Sequence, residues 1–256
     1  MALHFQINGN LKKNRNPLMS TIVYLLRVLI AGISMIPWYF FGIIASFVDQ
    51  EIGLRIFISW NRFFLRLFRI EITLENENPS TVTTNGCIFI LLNQTSLLDG
   101  SIGAMKIPLP WRGLVNIEYA LIPVFGWAMC IFSWIIIRQW PKQAKKTMNK
   151  VKSFIRAGGN LWISIEGNRS KDGSLLPYKK GPVVIAINAG AKIVPVIHTG
   201  VQNCLPYGKW RIRPGKITIR YLKAIATEDK QYENREELVN KLRELAEKYI
   251  SKPQIQ

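Results

Sequence analysis

The chain has 256 residues, of which 48% are hydrophobic, and its formal net charge is +18. This length supports one large core or two small ones. A chain that is both strongly basic and apolar indicates an anionic partner, and nucleic acid and an anionic membrane are the main candidates. A soluble acidic substrate alone does not explain so high a charge. The three widely spaced cysteines, Cys87, Cys130 and Cys204, match neither a zinc spacing nor a disulfide framework. We therefore predict reduced, structural thiols and no metal site.

The N-terminal part contains a long apolar segment. The first 17 residues are polar, and residues 18–48 are almost entirely apolar, interrupted by Arg27 and Pro37. Residues 28–48 suffice to span a hydrocarbon core of about 30 Å as one helix. The segment is too long for a signal peptide and no small-residue cleavage site follows it. Pro37 leaves open a kinked span, two re-entrant helices or a buried core helix.

The next segment, "GLRIFISWNRFFLRLFRIEI", carries a stripe of arginines. Arg55, Arg62, Arg66 and Arg69 fall within about 60° of one another on a helical wheel, and aromatic and aliphatic residues fill the remainder. This pattern predicts a helix in the headgroup layer, with its rings inserted among the lipids and its arginines on lipid phosphates. The alternative is a core helix with a solvated arginine stripe.

From residue 72 onward, short apolar runs alternate with helical patterns. "GCIFILL", "FSWIIIR", "NLWISI", "AKIVPVI" and "KITIRYL" are predicted strands, while "SLLDGSIGAMK", residues 141–157 and "NREELVNKLRELAEKYI" are predicted helices. Asn234 and Glu237 form a candidate cap pair of the last helix. We predict an α/β fold with a mixed sheet flanked by helices and an N-terminal membrane-associated helical segment. The expected division is 1–70 for membrane anchoring and 71–256 for the α/β domain.

Polar clusters stand at the ends of three predicted strands, where α/β folds bind ligands. They are "NQTSLLD" at residues 93–99, Arg138 after "FSWIII", and "EGNRS" at 166–170 with Lys180 downstream. Arginine suits phosphate because its planar fork bonds two oxygens, and Gly167 allows close backbone approach. The third cluster predicts an anion pocket, although a solvated turn is the alternative. An unpaired Glu166 after the apolar "LWISI" is costly, so Arg169 or Arg138 is its expected partner.

These clusters, in this order, resemble the motifs of the 1-acylglycerol-3-phosphate (lysophosphatidate) acyltransferase family of membrane glycerolipid acyltransferases. The first motif of that family, N-H-x-S-x-x-D, stands here as Asn93 to Asp99, and its E-G-T-R-S motif stands as Glu166 to Ser170. The family also has a glutamate followed by a P-x-x-G-W element, which is matched here by Glu118 with Pro123, Gly126 and Trp127. The other matches are Arg138 at a strand end, the segment "YKKG", and Val194-Pro195-Val196 for the V-P-V motif. The resemblance extends over roughly residues 85–200.

The resemblance implies transfer of a fatty acyl group from acyl-CoA or acyl carrier protein to the hydroxyl of a lysophospholipid, converting 1-acylglycerol-3-phosphate to phosphatidate. No cofactor beyond the acyl donor is implied. The implied site consists of the position of the motif histidine with Asp99 as its orienting acid, and a phosphate-binding pocket of Glu166, Gly167, Asn168, Arg169, Arg138 and Lys180. The chain is expected on an anionic membrane, at the cytoplasmic face where the donors are found, and no nucleic-acid partner is needed to explain its charge.

This chain departs from the motif at its histidine, where Gln94 stands. A glutamine amide donates and accepts hydrogen bonds but takes no proton near pH 7, and loss of a general base typically costs about 10²–10⁴ in rate. Three interpretations remain open: a divergent enzyme with another base, an inactive lipid-binding relative, or a deliberately replaced histidine. His198 beyond "IVPVI" is more often structural than catalytic. Asp99 could serve as a weak base only if burial raised its pKa.

Overall fold

The structure is a computed structural model that describes residues 17–77, 86–117, 130–136 and 140–250. The strands are β1 Ile70–Asn76, β2 Ile88–Leu91, β3 Trp111–Asn116, β4 Ser133–Ile136, β5 Asn160–Ser164, β6 Ile193–Thr199 and β7 Gly215–Tyr221. The helices are α1 Pro17–Val48, α2 Gln50–Leu67, α3 Leu98–Ala104, α4 Pro141–Arg156, α5 Gly181–Ala189, α6 Val201–Cys204 and α7 Arg235–Ile250, with a 3-10 turn at Tyr232–Asn234.

The seven strands form one mixed sheet in the order β1-β7-β6-β2-β5-β3-β4. The five strands from β6 to β4 are parallel to one another, whereas β7 pairs antiparallel with β6 and parallel with β1. The predicted mixed α/β sheet is confirmed, and each predicted strand is present. Two strands were not predicted. β1 lies at the sheet edge and carries Glu71 and Glu75, and β3 is interrupted by Arg112 and Gly113, so neither gives a clean apolar run.

Apolar clusters cover both faces of the sheet. On one face, α4, α5 and α7 bury side chains such as Val151, Val183 and Leu242 against Ile88 and Ile193. The opposite face packs α2, α3 and part of α1 against a second cluster, which includes Phe57, Ile102, Phe89, Val196 and Tyr221. Each fully buried aliphatic or aromatic side chain contributes roughly 1.5–3 kcal/mol, so the two layers hold the central strands firmly. The rigid centre matters because β2, β5 and β6 carry the candidate site.

The helices α1 and α2 form an antiparallel hairpin. α1 continues through Pro37 without a break. The ring of Trp38 stacks on Phe63 at 5.7 Å, and Tyr39 contacts Phe57 at 5.2 Å between ring centroids. Phe57 and Trp60 are buried in the core cluster rather than available to lipid. The prediction that the α2 rings insert among lipids is therefore wrong for these two, because α1 and the sheet cover them.

The outer surface of α1 is apolar and exposed. Among the described residues, α1 is the one helix long and apolar enough to cross a membrane, judged by length and composition. Exposed side chains include Leu25, Leu29, Ile33, Phe40 and Phe47, the last at 87%. Monomeric soluble proteins rarely expose a contiguous apolar patch of this extent, which over 32 residues is about 48 Å long. This surface indicates association with a membrane. The arginine stripe of α2 is also exposed.

Candidate functional site

Three neighbouring parallel strands bring the main polar clusters to one edge of the sheet. β2 lies between β5 and β6, and all three run in the same direction. The segment from Asn93 to Asp99 follows β2, Glu166 follows β5, and His198 lies at the end of β6. The carboxyl ends of parallel strands are the usual position of ligand sites in α/β folds. The predicted strand-end clustering of the first and third motifs is therefore found in the structure.

Asp99 organises the turn after β2. Its carboxylate is fully buried and accepts hydrogen bonds at Oδ2 from the backbone amides of Thr95 (2.8 Å) and Ser96 (2.7 Å). Its Oδ1 lies 2.8 Å from Nδ1 of His198. An ionised carboxylate can only accept, so Nδ1 of His198 carries the proton in this pair. Asp99 thus holds the turn and an imidazole at the same time.

His198 is packed beneath that turn on the inner side of the site. Its side chain has no exposed surface, and its ring stacks on Trp162 at 5.9 Å. The Asn93 amide donates to the His198 carbonyl at 2.6 Å and accepts from the His198 amide at 3.0 Å. Nε2 has no hydrogen-bond partner in the described part of the chain. The sequence held no direct signal for the Asp99 pair, because 99 positions separate its members.

Gln94 is held by its backbone between the two motifs. Its amide donates to Oε2 of Glu166 at 2.6 Å, and its carbonyl accepts from the amide of Ser170 at 2.8 Å. Its side chain is half-buried. The backbone position of residue 94 is therefore fixed at both its amide and its carbonyl, whichever side chain it carries.

Glu166 connects the first motif to the loop after β5. Its Oε1 accepts from the amide of Leu176 at 2.6 Å, so both carboxylate oxygens are bound to backbone amides. Burial raises the pKa of Glu166 to about 7, although the amides of Gln94 and Leu176 favour its charged form. Of the two expected partners of Glu166, Arg169 does not pair with it, because backbone amides bind the carboxylate instead, and Arg138 lies outside the described residues.

The free energy of unfolding should depend on pH through the protonation of the Glu166 carboxyl. The pKa of Glu166 rises from 4.5 to about 7 on folding, so between these values the folded chain holds a proton that the unfolded chain releases. The contribution of Glu166 is therefore present below about pH 4.5 and is lost as pH rises to about 7, by up to about 3 kcal/mol. Denaturant unfolding at pH 5 and pH 7.5 should show this difference for the native chain but not for Glu166→Gln. Parallel pH curves for the two would contradict the assignment.

The remaining predicted pocket residues are placed differently from one another. Gly167 has φ +66°, which suits glycine, and Asn168 is exposed. The half-buried Arg169 lies with its Cζ 5.0 Å from the ring centroid of Tyr207. Lys180 is exposed and bonds Glu236 of α7 at 2.5 Å, and no described contact joins it to the other pocket residues. Arg138, with Glu118, Pro123, Gly126 and Trp127, lies outside the described residues.

The guanidinium of Arg169 is a candidate ligand for an anion. None of the ion pairs in the described part of the chain uses its guanidinium. Its contact with Tyr207 is a cation–π contact, which fixes the planar fork without neutralising it. This arrangement can hold a phosphate.

Two further side chains support the turn: Tyr178, which was not singled out from the sequence, and Ser96, the serine of the first motif. The hydroxyl of Tyr178 donates to the carbonyl of Leu92 at 2.8 Å, and the hydroxyl of Ser96 donates to the carbonyl of Leu205 at 2.8 Å. Tyr178 belongs to the "YKKG" segment, so the resemblance offered a signal for it. The bond from Ser96 connects the turn after β2 to the segment between α6 and β7.

Comparison with known proteins finds relatives of this chain. A sequence model of the family described as Acyltransferase matches residues 72–199, half of the chain. The 1-acyl-sn-glycerol-3-phosphate acyltransferase of Limnanthes douglasii is 34% identical over 139 residues, 54% of this chain and 50% of that protein. The human enzyme named 1-acyl-sn-glycerol-3-phosphate acyltransferase beta is 29% identical over 176 residues, 66% of this chain and 62% of that protein. The chain thus spans about half to two thirds of the length of these relatives.

The fold also matches a solved structure. The 1-acyl-sn-glycerophosphate (LPA) acyltransferase PlsC from Thermotoga maritima superposes with a TM-score of 0.74 over 93% of this chain and 99% of that one. The two sequences are 19% identical, so this likeness shows the fold alone.

Proposed function

Because the chain belongs to the acyltransferase family, we propose that it transfers a fatty acyl group from acyl-CoA or acyl carrier protein to the hydroxyl of 1-acylglycerol-3-phosphate, which yields phosphatidate. The observation that carries the proposal is the buried Asp99 at the turn after β2, joined through Gln94 and Glu166 to the loop that bears Arg169. The named relatives act on this class of acceptor.

In the proposed reaction the acceptor hydroxyl attacks the thioester carbonyl. A C–O bond forms, the C–S bond breaks, and the hydroxyl proton ends on the released thiol. Position 94 lies where the family motif has its base. Gln94 can bond the hydroxyl and orient it, but the proton must leave by another route, to the thiolate or to water. This predicts a slow reaction that depends mainly on positioning.

The acceptor phosphate is proposed to bind at Arg169, next to Gly167 and Asn168. A planar guanidinium bonds two phosphate oxygens, and the cation–π contact with Tyr207 restricts its orientation. Arg138 and Lys180 remain proposed as additional phosphate ligands, and for Lys180 this requires exchange of its ion pair with Glu236.

The direct test is an assay of the purified chain with a labelled acyl thioester and 1-acylglycerol-3-phosphate in mixed micelles. We expect slow formation of labelled phosphatidate that is absent with Asp99→Ala, which removes the acceptor that holds the turn. Acyl-CoA and acyl carrier protein are tested separately to identify the donor. Absence of product with both donors, with the acceptor still bound, would contradict the proposal.

That negative outcome defines the second candidate function, an inactive relative that binds lysophospholipid. The observation favouring it is Gln94, which leaves no base at the motif position. Binding of acceptor to the native chain, combined with turnover only in a Gln94→His variant, would establish this alternative.

The phosphate assignment makes a separate prediction. Arg169→Ala should raise the KM for 1-acylglycerol-3-phosphate about 10- to 100-fold, because a charge-assisted bond of about 1.5–3 kcal/mol is lost, and should leave the KM for the donor within about twofold. Lys171→Ala, an exposed basic residue two positions away, is the matched control. Equal losses for acceptor and donor would show that the pocket is misassigned.

Residues 1–70 are proposed to anchor the chain to the membrane. α2 runs along α1 from the Gly42 and Gly53 crossing to the Tyr24 and Phe68 contact, so the exposed arginines of α2 accompany the apolar surface of α1. Arginines cost about 2.5–3.5 kcal/mol each at a bilayer centre. We therefore propose that the hairpin lies along the interface, with its arginines among the headgroups.

Charge reversal on this stripe tests the orientation. Arg62→Glu with Arg66→Glu should reduce binding to anionic vesicles at least tenfold and change binding to neutral vesicles little, because the apolar surface of α1 is unaltered. Vesicle flotation measures both. Unchanged binding to anionic vesicles would exclude a headgroup position for the stripe.

A further inference from the structure

The segment between α6 and β7, residues 206–214, forms a surface loop of unusual composition. It carries Lys209, Arg211 and Arg213 and has no acidic residue. Trp210 stands between two of these basic residues and is 71% exposed, the most exposed tryptophan in the described part of the chain. We refer to residues 206–214 as the basic-aromatic loop. A tryptophan this exposed, between two exposed basic residues, contributes little to the packing of the core.

The loop is attached to α1, at the edge of the apolar helix surface. The hydroxyl of Tyr24 donates to the carbonyl of Trp210 at 3.0 Å, and the rings of these two residues meet edge to face at 5.5 Å. The guanidinium of Arg211 lies 5.2 Å from the Tyr24 ring centroid. Leu25 and Leu26, which follow Tyr24 along α1, are both about half exposed. The basic-aromatic loop therefore continues the apolar surface of α1.

The same loop is attached to the candidate site at its other end. Ser96 donates to the carbonyl of Leu205, just before the loop, and the Tyr207 ring lies under the guanidinium of Arg169. A single stretch of nine residues thus extends from the turn after β2 to the first turns of α1. The loop therefore lies next to both the turn after β2 and Arg169.

We propose that the basic-aromatic loop is a second membrane contact, which inserts Trp210 at the headgroup level of an anionic bilayer and holds the mouth of the site at the lipid surface. Tryptophan is favoured at this depth because its ring is apolar and its N–H remains hydrated. Lys209, Arg211 and Arg213 supply the complementary charge to anionic lipid. Continuity with the apolar side of α1 favours a bilayer over an acidic protein partner. An acceptor lipid that leaves the bilayer beside the loop meets Arg169 first.

Vesicle partitioning of the full chain tests this surface without reference to catalysis, so its result is independent of the proposed function. Each basic residue near an anionic surface is worth about fivefold in partitioning, so Lys209→Gln with Arg211→Gln should lower the partition coefficient on phosphatidylglycerol-containing vesicles about 30-fold. Trp210→Ala should lower it several-fold on both anionic and pure phosphatidylcholine vesicles.

The matched control is Lys145→Gln with Lys146→Gln, which removes the same charge from exposed positions on α4, a helix packed on the opposite face of the sheet. These control variants should bind within about twofold of the native chain. Equal losses for both pairs would show a general charge effect and overturn the proposal. Unchanged vesicle binding of the loop variants, together with weaker binding of acyl carrier protein, would identify an acidic protein as the partner instead.

Discussion

Replacement of Asp99 by alanine should lower the free energy of unfolding by about 3–5 kcal/mol and abolish acyl transfer. The carboxylate is fully buried, and it is the acceptor for two backbone amides and for Nδ1 of His198. Its removal leaves three donors without a partner in a region closed to water. Because the Thr95 and Ser96 amides form the turn itself, the turn that follows residue 94 is lost with them, although Glu166 and Ser170 still bond the backbone of residue 94.

Asp99→Asn separates the structural effect from the chemical one. Asparagine keeps one oxygen as the acceptor for the two backbone amides. Its side-chain N–H can donate to Nδ1 of His198 if the imidazole changes tautomer. The loss in the free energy of unfolding should therefore be only about 1–2 kcal/mol. Acyl transfer by the native chain, which has no base at position 94, should fall only as far as the turn is disturbed, whereas in a Gln94→His background the same change should abolish the gain, since the charge that orients the imidazole is gone. Denaturant unfolding in detergent and the acyl-transfer assay measure the two effects. Exposed Asp229→Ala is the control; a loss at Asp99 no larger than at Asp229 would refute the burial argument.

The strand-end clusters were predictable from the sequence because apolar runs mark buried strands and parallel strands end at a common edge. Gln94, Asp99 and Glu166 were assigned to that edge correctly. Their partners were not predictable. Glu166 is bound by the backbone amides of Gln94 and Leu176, and backbone groups leave no trace in residue type. His198 reaches Asp99 only because β6 pairs beside β2, a pairing between segments more than one hundred positions apart.

For the N-terminal helices, the sequence predicted which residues share a side of the helix but not what each side contacts. The arginine stripe of α2 was predicted on its helical period and is exposed. The same period cannot tell whether the opposite, aromatic side faces lipid or protein, because both environments are apolar. Tyr39 of α1 settles this for Phe57 and Trp60, whose rings it contacts. The helical period also did not predict that α1 continues through Pro37, since proline alone favours a break.

Gln94→His should raise the rate of acyl transfer about 10²- to 10⁴-fold, the typical contribution of a general base. The backbone of residue 94 is held at its amide by Glu166 and at its carbonyl by Ser170, so a new side chain starts from a fixed position. Oδ1 of Asp99 has two acceptor sites, and His198 uses one of them in the described structure. The prediction requires the second site to accept a hydrogen bond from an imidazole at position 94, as the family motif implies.

Gln94→Asn is the matched control, because it keeps an amide and introduces no base. It should leave the rate at or below that of the native chain, and the gain in Gln94→His should decline as pH falls and the new imidazole takes up a proton. Equal rates for the native chain and the histidine variant, with both active, would mean that proton removal at position 94 does not limit the reaction. The hydroxyl proton would then pass directly to the leaving thiolate or to water, and the role of Asp99 would be to hold the turn rather than to orient a base.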